Sequence, residues 1–568
     1  HYQIADYLER RDDAAMRNSV VAAIADHYRR SAQLVNEMGS VAGVDRATVL
    51  VKALKWVQVA GDRALESDPP SADAWFTAGH ELASDDETRA RMLYGRAQAR
   101  LEVGHLRTAR EDLDLLDRYA TTDPLLKAQT LLVRGNLERR SRNHTVGAAM
   151  LREAADRMAA LGEPVEQALA LRLLGLAELE RSDHDLARRA LEASQRIAAS
   201  IGDERSEAWA YQSLAWQAFR TGRVDEAAEF ADQANELFTS LDDLGGLTWT
   251  RGVMGWVLFH TGRLREAEAV VAEVLPETMR RGDPWAEGII QILNASIHLW
   301  AGRPQRALAA AQHALTAAAR ADDVNLAVQA RAVQGRAHIS LADVEDGLLS
   351  LEQAYALAEH QGDADARRLA AAANCAAAAR IGDPSGVMQW AGRYETVHSR
   401  PDAVGESEIV ASVALGFLQQ GRVGDALSEI TLADTKVPST RVARSAVSAL
   451  IHVATGDFDG AIEHIDRALA GEGTYLDVFR ARIALAGLYF RQGRTAEAKS
   501  TFDHAMVELG ITGDRVTAPK GALFSGVCGF DSLDVSEQRY RSLGLDPAGW
   551  VKAFRSVAGY EESLTPGG

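Results

Sequence analysis

The sequence predicts an all-α fold in which helical hairpins stack side by side as a solenoid. The first observation is a Gly-Arg dipeptide that recurs at Gly222, Gly262 and Gly302, each 40 residues after the last. The second is a break that recurs between them at the same step, at Gly202-Asp203, Asp242-Asp243, Gly282-Asp283, Asp322-Asp323 and Gly362-Asp363. Two helix breaks per period, repeated in phase, indicate a helix–turn–helix unit that is copied along the chain.

The composition fits a folded, mostly helical protein. Hydrophobic residues make up 47% of the 568 residues and only 13 are proline, which is typical of a chain with few interrupted helices. A formal net charge of −18 argues against nucleic acid or an anionic membrane surface as a partner. No apolar run approaches the ~20 residues of a membrane-spanning helix.

Two further observations concern cellular context. The two cysteines, Cys375 and Cys528, indicate a reducing compartment, so a cytoplasmic location is expected. Because residue 1 is His rather than Met, we expect the chain to be a fragment or a processed product.

Four regions are predicted in chain order. They are an N-terminal helical junction (1–43), a degenerate first hairpin (44–84), the repeat region (85–509) and a segment of irregular linker, capping helices and disordered tail (510–568). In the first two regions, apolar spacing predicts helices at 4–10, at 18–38, from about Arg46 to Leu65 and at 72–82. Gly39 and Gly43 mark a stop, and Ser71 is placed to cap the last of these helices.

Small side chains recur in phase with the turns of the repeat region. The turn between the two helices of a hairpin falls near Gly104, Asn143, Ser182, Gly222, Gly262, Gly302, Ala342, Gly382, Gly421, Gly456 and Gly493. A small residue lies seven positions before the turn and another lies five positions after it, with Asn136 and Val387 as exceptions. Antiparallel helices approach to ~8–10 Å only where side chains at the crossing are small. The two columns therefore predict the contact line within each hairpin.

The period stops after Gly510. Glycines at 513, 521, 526 and 529, together with Pro519, predict an irregular linker. Short helices are expected at about 535–542 and 547–557, the second starting with Pro547 at its first helical position. The last residues, 561–568, are predicted to be disordered.

The small-residue pattern resembles that of the tetratricopeptide-repeat family. The copies at 168–201, 208–241, 248–281 and 481–509 match it best, and the last of them carries Tyr489, Gly493-Arg494, Ala498, Phe502 and Ala505. The resemblance implies a right-handed superhelical solenoid of about 11–12 hairpins, in which the first helix of each hairpin lines the concave side. Most copies are longer than the family's usual period of about 34 residues, which implies longer helices or loops.

The N-terminal part resembles a junction in large bacterial signal-transduction ATPases. The matching segments are Ile24-Ala-Asp-His-Tyr28, Lys52-Ala-Leu54 and Ala60-Gly-Asp-Arg-Ala-Leu65, and the copies at 245–320 look like the repeat arm of members that carry a nucleotide-cyclase domain. This resemblance implies that an ATPase core and an effector domain precede the chain in a longer polypeptide.

Motifs for catalysis or cofactor binding are not found in the sequence. It lacks the Gly-x-x-x-x-Gly-Lys-Ser/Thr phosphate loop, the Gly-x-Ser-x-Gly elbow and zinc-type cysteine pairs, so no catalytic residue, metal or cofactor is expected. His298 and His338 share a phase in successive copies, but a metal would need further ligands. Cys375 falls in the small-residue column and is expected in the core. Cys528 lies among glycines, where its thiol could be exposed.

One feature exceeds the pattern of an ordinary repeat. Six of the ten tryptophans fall between residues 209 and 300, and aromatic residues recur in phase in successive copies. The predicted contact stripe for a peptide or apolar ligand consists of Trp209, Trp216, Phe219, Trp249, Trp256, Phe259, His260 and Trp300. The alternative is that these side chains fill gaps between neighbouring hairpins, as large aromatics at helical spacing usually do.

Three functions are compatible with this sequence. The first is a noncatalytic interaction and sensing arm, which binds a protein segment, the upstream ATPase core or a small ligand on its concave face and regulates an attached effector. The second is part of a nucleotide cyclase or ATPase whose catalytic residues lie elsewhere in the polypeptide. The third is the arm of an ATPase-type transcription activator, although the glycine-rich segment 510–568 is too little basic for a convincing DNA-binding domain.

Overall fold

The chain is helical throughout the part that the computed structural model describes, which is residues 1–10, 20–39, 45–119, 122–181, 183–397, 403–431, 437–470 and 473–560. These residues form 29 α-helices and no strand, which confirms the predicted all-α fold. In chain order the helices are α1 Tyr2–Glu9, α2 Val21–Met38, α3 Arg46–Ser67, α4 Pro69–Leu82, α5 Asp86–Glu102, α6 Leu106–Leu116, α7 Pro124–Arg140, α8 His144–Leu161, α9 Pro164–Glu180, α10 His184–Ile201, α11 Glu204–Arg220, α12 Val224–Ser240, α13 Leu244–His260, α14 Leu264–Arg281, α15 Pro284–Trp300, α16 Pro304–Ala321, α17 Val324–Ser340, α18 Val344–Gln361, α19 Ala364–Ile381, α20 Pro384–Glu395, α21 Ala403–Gln419, α22 Val423–Thr431, α23 Pro438–Thr455, α24 Phe458–Ala470, α25 Tyr475–Arg491, α26 Thr495–Gly510, α27 Thr517–Val527, α28 Leu533–Arg541 and α29 Ala548–Ala558.

From α5 to α26 the helices alternate within hairpins. We call the first helix of each hairpin the A-helix (odd-numbered helices α5 to α25) and the second the B-helix (even-numbered helices α6 to α26). A-helices pack on their own B-helices, as α15 does on α16, and successive A-helices also contact each other, as α15, α17 and α19 do. Each hairpin therefore buries its apolar faces against its neighbours along the stack.

The turns have the backbone conformation that their glycines predict. Gly222, Gly262 and Gly302 have φ angles of 74°, 82° and 70°, a left-handed conformation that glycine adopts without steric cost and that ends a helix. Two residues other than glycine take the same conformation at turns. They are Arg142, which precedes the expected turn residue Asn143, and Ala342, with φ angles of 66° and 70°. The turn expected at Ser182 lies outside the described residues.

Small residues lie where paired A- and B-helices cross, and the reason is steric. A Cβ atom added to Gly175 would lie 2.5 Å from Cγ of Leu191, and one added to Gly335 would lie 2.6 Å from the carbonyl oxygen of Gly347. Both distances are well below the roughly 3.5–4.0 Å of an ordinary contact between carbon atoms. The column of small residues before the turn thus follows from the close approach of the two backbones.

The described residues divide into two compact units. Unit 1 comprises His1–Gln217, Gln233–Leu247 and Arg281–Asp283, and unit 2 comprises Ala218–Asp232, Thr248–Arg280 and Pro284–Gly568. In unit 1, the N-terminal helices α1, α2 and α3 pack together around an apolar core that includes the buried Tyr28. The ammonium of Lys52 on α3 pairs with both Asp6 and Glu9 of α1 at 2.9 Å, which holds α1 in place.

Helices in the N-terminal part begin and end within three residues of their expected positions. Helix α2 ends at Gly39 as expected, and Gly43 lies outside the described residues. Helix α4 begins at Pro69 rather than at 72, because its cap is Asp68 and not Ser71. The Asp68 carboxylate accepts the backbone N–H of Ser71 at 3.3 Å, so Ser71 already lies inside the helix.

Hairpins that are five apart along the stack approach each other in unit 2. Nδ1 of His260, at the end of α13, lies 3.3 Å from Oγ of Ser439 at the start of α23. The hairpin turn at Gly302 likewise lies beside Tyr475, at the start of α25. The stack in unit 2 therefore curls enough to contact itself.

The C-terminal segment, residues 511–560, lies against the turns of several hairpins in unit 2. The backbone N–H of Gly513 donates to the carbonyl oxygen of Gly302 at 2.7 Å. Trp550 on α29 is 1% exposed and donates its indole N–H to the carbonyl oxygen of Arg380 at 3.1 Å. The segment thus covers the ends of helices that are separated from it by more than a hundred residues.

Part of this segment differs from the sequence prediction. Helix α27 occupies Thr517–Val527, where an irregular linker was expected. The Asp514 carboxylate accepts the N–H groups of Val516 and Thr517 at 2.9 and 3.1 Å, which satisfies backbone donors at the start of the helix. Gly521 serves close packing, since a Cβ atom there would lie 2.8 Å from Sδ of Met506. The linker prediction was therefore wrong at α27. Helices α28 and α29 lie within three residues of their expected positions. The tail that was expected to be disordered lies outside the described residues.

Candidate binding site on the A-helices

All eight residues of the predicted stripe lie on A-helices. Helix α11 carries Trp209, Trp216 and Phe219, α13 carries Trp249, Trp256, Phe259 and His260, and α15 carries Trp300. Trp209 and Trp216 belong to unit 1 and the other six belong to unit 2. The stripe is thus divided between the two units.

Five of the six unit 2 residues form one aromatic cluster. The ring centroids of Phe259 and Trp300 are 4.0 Å apart, Trp256 stacks on His260 at 6.2 Å, and Phe219 lies 6.4 Å from Trp256. Phe259 and His260 are buried, whereas Phe219, Trp256 and Trp300 are half-buried. The three half-buried rings also pack against buried core residues, so part of each ring fills space between neighbouring helices.

Trp249 contacts a residue outside the predicted stripe. Its ring centroid lies 5.5 Å from that of Trp285, whose indole N–H donates to the Asp323 carboxylate at 3.1 Å. Asp323 is also the N-cap of α17, because its side chain accepts the N–H of Leu326. Trp285 was missed because it lies at the start of α15, outside the phase that the other aromatic residues share.

In unit 1, a cation lies over one ring of the stripe. The Arg172 guanidinium on α9 lies 5.4 Å from the centroid of the Trp209 ring, and Phe238 holds that ring edge-on at 5.1 Å. Arg172 is half-buried, and burial lowers the pKa of Arg172 to about 10. No carboxylate among the described residues lies within ion-pair distance of its guanidinium.

The guanidinium group of Arg139, which lies near Arg172, already has an acceptor. Arg139 pairs with Glu180 at 2.5 Å; burial alone would raise the pKa of Glu180, but Arg139 holds it below its usual value. Arg172 makes no ion pair with a described residue, although the Glu102 carboxylate lies near enough to raise its pKa against the effect of burial.

Sequence reasoning missed Arg172, although a signal existed. The position ten residues before the turn holds apolar side chains in three later copies, namely Ile292, Ala332 and Ala372. A charged residue in that position of an A-helix departs from the pattern. A residue that departs from the repeated pattern in this way indicates a role other than packing between hairpins.

The histidines considered as metal ligands have other neighbours. Burial, together with Arg303, lowers the pKa of His298, and Nδ1 of His338 lies 3.6 Å from the Asp343 carboxylate of its own turn. Throughout the described ranges, no group of three or more His, Cys, Asp or Glu side chains could hold a metal ion.

Both cysteines are buried free thiols. Cys375 lies at the crossing of α19 and α20, where its Sγ is 3.6 Å from the carbonyl oxygen of Val387, as the small-residue column predicts. Cys528 is 6% exposed, so the expectation of an exposed thiol was wrong. The reason is α27, which turns the glycine-rich segment into packed helix. Burial raises the pKa of both thiols to about 12, which makes them poor nucleophiles.

No helix in the described part of the chain has the length and apolar content needed to cross a bilayer.

No protein-family model and no curated protein matches the sequence, but solved structures do. The Rap protein complexed with competence and sporulation factor matches with a TM-score of 0.51 and 12% identity, over 61% of this chain and 97% of that one. The Cut9–Hcn1 hetero-tetramer of the APC/C matches with a TM-score of 0.47 and 13% identity, over 91% and 95%. A signal-transduction ATPase with numerous domains and a tetratricopeptide-repeat sensor, from Pyrococcus horikoshii, matches with a TM-score of 0.40 and 12% identity, over 72% of each chain. At these identities similarity shows the fold alone, and that fold is the tetratricopeptide-repeat type that the small-residue pattern resembles.

Proposed function

We propose that the chain is a noncatalytic interaction and sensing arm that binds a peptide, or an extended segment of a partner protein, along its A-helices. The observation that carries this proposal is the half-buried Arg172 guanidinium, which lies over Trp209 and makes no ion pair with any described residue. A planar guanidinium with free N–H groups binds a carboxylate through two parallel hydrogen bonds. The bound segment therefore carries an acidic group.

Burial makes this position selective for a charged acceptor. The pKa of Arg172 is lowered to about 10 because the surrounding helices displace water from the guanidinium. A carboxylate that approaches the guanidinium compensates for this lost hydration. The attraction between the two charges is also stronger here than in bulk water, because the local dielectric constant is lower. A neutral peptide would gain less from the same contact.

Aromatic rings on the A-helices supply apolar contacts for the rest of the segment. In unit 1 these are the half-buried Trp209 and Trp216. Unit 2 offers an apolar site of its own, formed by the half-buried Phe219, Trp249, Trp256 and Trp300, in which Phe259 and His260 support the rings. Stacked aromatic side chains bury much apolar surface with little loss of side-chain entropy, so they suit a site that binds a flexible segment.

A displayed peptide library tests the proposal. Peptides are selected on the immobilised chain, synthesised with a fluorescent label, and their affinities measured by fluorescence anisotropy. We expect the selected peptides to contain Asp or Glu. Arg172→Met and Trp209→Ala should each weaken binding at least about tenfold, because a hydrogen bond to a charged group contributes about 1.5–3 kcal/mol.

Arg196→Met is the matched control for this experiment. Arg196 lies on the B-helix α10 with 66% of its side chain exposed, so the substitution removes the same charge from another face. Circular dichroism checks that all variants keep their helices. Selected peptides without acidic residues, or equal weakening by Arg172→Met and Arg196→Met, would contradict the proposal.

Binding regulates an effector, such as an ATPase core with a nucleotide-cyclase domain, that α1 and α2 connect to the arm. The ion pairs of Lys52 with Asp6 and Glu9 support this role, because they fasten the first helix of the chain to α3. A shift of the hairpins on binding would then reach the start of the chain through packed helices. The two free thiols fit a reducing, cytoplasmic location. In a polypeptide that contains the ATPase core, a selected peptide should change the rate of ATP hydrolysis, and Arg172→Met should abolish that change.

A further inference from the structure

Lys520 on α27 is a lysine that the C-terminal segment buries completely in unit 2. Its side chain is 1% exposed, and its Nζ is buried with no hydrogen-bond partner in the described part of the chain. The Nζ atom lies 4.6 Å from the centroid of the Trp550 ring on α29 and 5.8 Å from that of Phe479 on α25. The amine is therefore enclosed between two helices by aromatic rings, away from water.

Two carboxylates of this region already pair with arginines. Asp514, which precedes α27, pairs with Arg380 of α19 at 2.8 Å, and Asp477 pairs with Arg480 of the same helix α25 at 3.1 Å. With Lys520 protonated, the cluster would hold three positive charges and two negative charges. A guanidinium keeps its proton in proteins, whereas a buried lysine readily loses it. Lys520 is thus the group that can remove the excess charge.

The other elements packed around Lys520 face it with uncharged groups. Tyr475 of α25 donates its hydroxyl to Asp514 at 2.7 Å, and Tyr540 of α28 donates to the carbonyl oxygen of Ile381 at 2.8 Å. Burial raises the pKa of both tyrosines, so they stay protonated. Helix α26 packs on α27 at Met506. Helices α23 and α29 border a cavity of about 10 Å³ beside Lys520 with the apolar side chains of Leu450, Trp550 and Phe554.

These surroundings favour an uncharged amine. A buried charge without a counter-charge is strongly unfavourable, and attraction to the face of the Trp550 ring offsets only part of that cost. Burial, reinforced by Arg480 and Arg380, accordingly lowers the pKa of Lys520 well below its usual value. The Asp514 carboxylate opposes this shift, but its charge is already balanced by Arg380.

We infer that Lys520 is uncharged in the folded chain and that its protonation releases the C-terminal segment from the A-helices of unit 2. A charged amine needs water or a carboxylate, and α27 must move away from α25 and α29 to provide either. Docking of the segment is therefore coupled to the loss of one proton from Lys520.

The direction of this pH dependence follows from the proton count. The docked segment binds no proton at Lys520 above the pKa of the buried amine, whereas the released segment binds one up to the usual lysine pKa of about 10.4. Within that window the docked state gains stability as pH rises, and the released population falls by up to about tenfold per pH unit. Below the window both states are protonated, and the dependence ends.

Nuclear magnetic resonance measures the charge of Lys520 directly. The chain contains seven lysines, so lysine labelled with ¹³C at Cε gives few resonances, and the chemical shift of each reports whether its amine is charged. We expect one resonance of an uncharged amine in the wild-type chain at pH 8, and we expect Lys520→Met to lack it. A wild-type spectrum with charged amines alone would overturn the inference.

Hydrogen exchange measured by mass spectrometry tests the coupling to docking. The full chain is compared at pH 6 and pH 8, with each rate corrected for the intrinsic pH dependence of exchange. We expect the released population of α27–α29 in the wild-type chain to fall by up to about a hundredfold over these two pH units. In Lys520→Met this response should disappear, because methionine has a similar length and takes up no proton.

Lys499→Met is the control, because it removes a lysine that is 53% exposed on α26. It should keep the wild-type response to pH. If Lys520→Met does not fold, the resonance and the exchange of the wild-type chain decide, and exchange in α27–α29 that does not slow between pH 6 and 8 overturns the inference. Equal responses of the wild-type chain and Lys520→Met would also overturn it, even with an uncharged amine, because protonation would then not control docking.

Discussion

At the scale of single residues, the ion pair between Arg380 and Asp514 anchors the C-terminal segment on α19. The two groups are 2.8 Å apart, and their side chains are 9% and 0% exposed. Asp514→Asn leaves the guanidinium buried without a counter-charge, so we expect the free energy of unfolding to fall by about 3–5 kcal/mol. Urea denaturation measures this change. Asp503→Asn is the control, since Asp503 is 55% exposed and pairs with the exposed Lys499, and it should change stability little.

The same carboxylate determines how stability responds to acid. Burial alone would raise the pKa of Asp514, but Arg380 and the hydrogen bonds from Thr517 and Tyr475 hold it below its usual value. A pKa that is lower in the folded than in the unfolded chain stabilises the fold above about pH 4, and this contribution is lost as pH falls through the folded pKa. The wild-type chain should therefore lose more stability than Asp514→Asn between about pH 5 and 2. Equal losses would mean that Asp514 titrates normally.

Contacts of this kind could not be predicted from the sequence. Arg380 and Asp514 are separated by 134 positions, and no repeated pattern links them, because Asp514 lies outside the periodic region. The aromatic stripe was visible because it recurs in phase, but burial of Phe259 and His260 depends on hairpins that come together only in three dimensions. Arg172 occurs once, so the only sign of it in the sequence is its departure from the apolar residues that later copies hold at the same position.

At the scale of helices, the close crossing of α17 and α18 explains a glycine pair. Gly335 and Gly347 face each other, and a Cβ atom on Gly335 would lie 2.6 Å from the Gly347 carbonyl oxygen. Gly335→Ala must separate the two helices, and we expect it to destabilise the fold by about 1–3 kcal/mol. Gly392→Ala on α20 is the matched control, because nothing lies within 4 Å of a Cβ atom there. It should stabilise the fold by about 0.5–1 kcal/mol. Chemical denaturation measures the free energy of unfolding, which should fall in Gly335→Ala and rise in Gly392→Ala.

Helices and turns in the repeat region were predictable because their causes are local. Two local features recur along the hairpins: a turn residue in the left-handed conformation and a small residue at the helix crossing. Each copy therefore supports the interpretation of the next. Glycine was misleading at α27. Gly521 was interpreted as part of a linker, but it lies within the helix and packs against Met506. Glycine at a helix crossing and glycine in a linker cannot be distinguished without the partner helix.

At the scale of the whole molecule, unit 2 departs from a simple array of repeats. In such an array each hairpin contacts only its neighbours, and stability is a sum of local terms. Here the backbone of Gly513 binds that of Gly302, and Trp550 binds the carbonyl oxygen of Arg380. These contacts join hairpins that are distant in sequence, so we expect unit 2 to unfold more cooperatively than nearest-neighbour packing allows.

Trp550→Ala tests this cooperativity. Trp550 is 1% exposed and fills the space beside Gly382, so its loss should cost about 3–5 kcal/mol. Hydrogen exchange measured by mass spectrometry should then show faster exchange in α19 and α23 as well as in α29, although α19 is 170 residues away. Val535→Ala on α28 is the control, because that side chain is 63% exposed, and it should leave exchange in α19 unchanged. Faster exchange confined to α27–α29 after Trp550→Ala would show that the C-terminal segment is an independent cap, because a segment that couples distant hairpins cannot be loosened without loosening them.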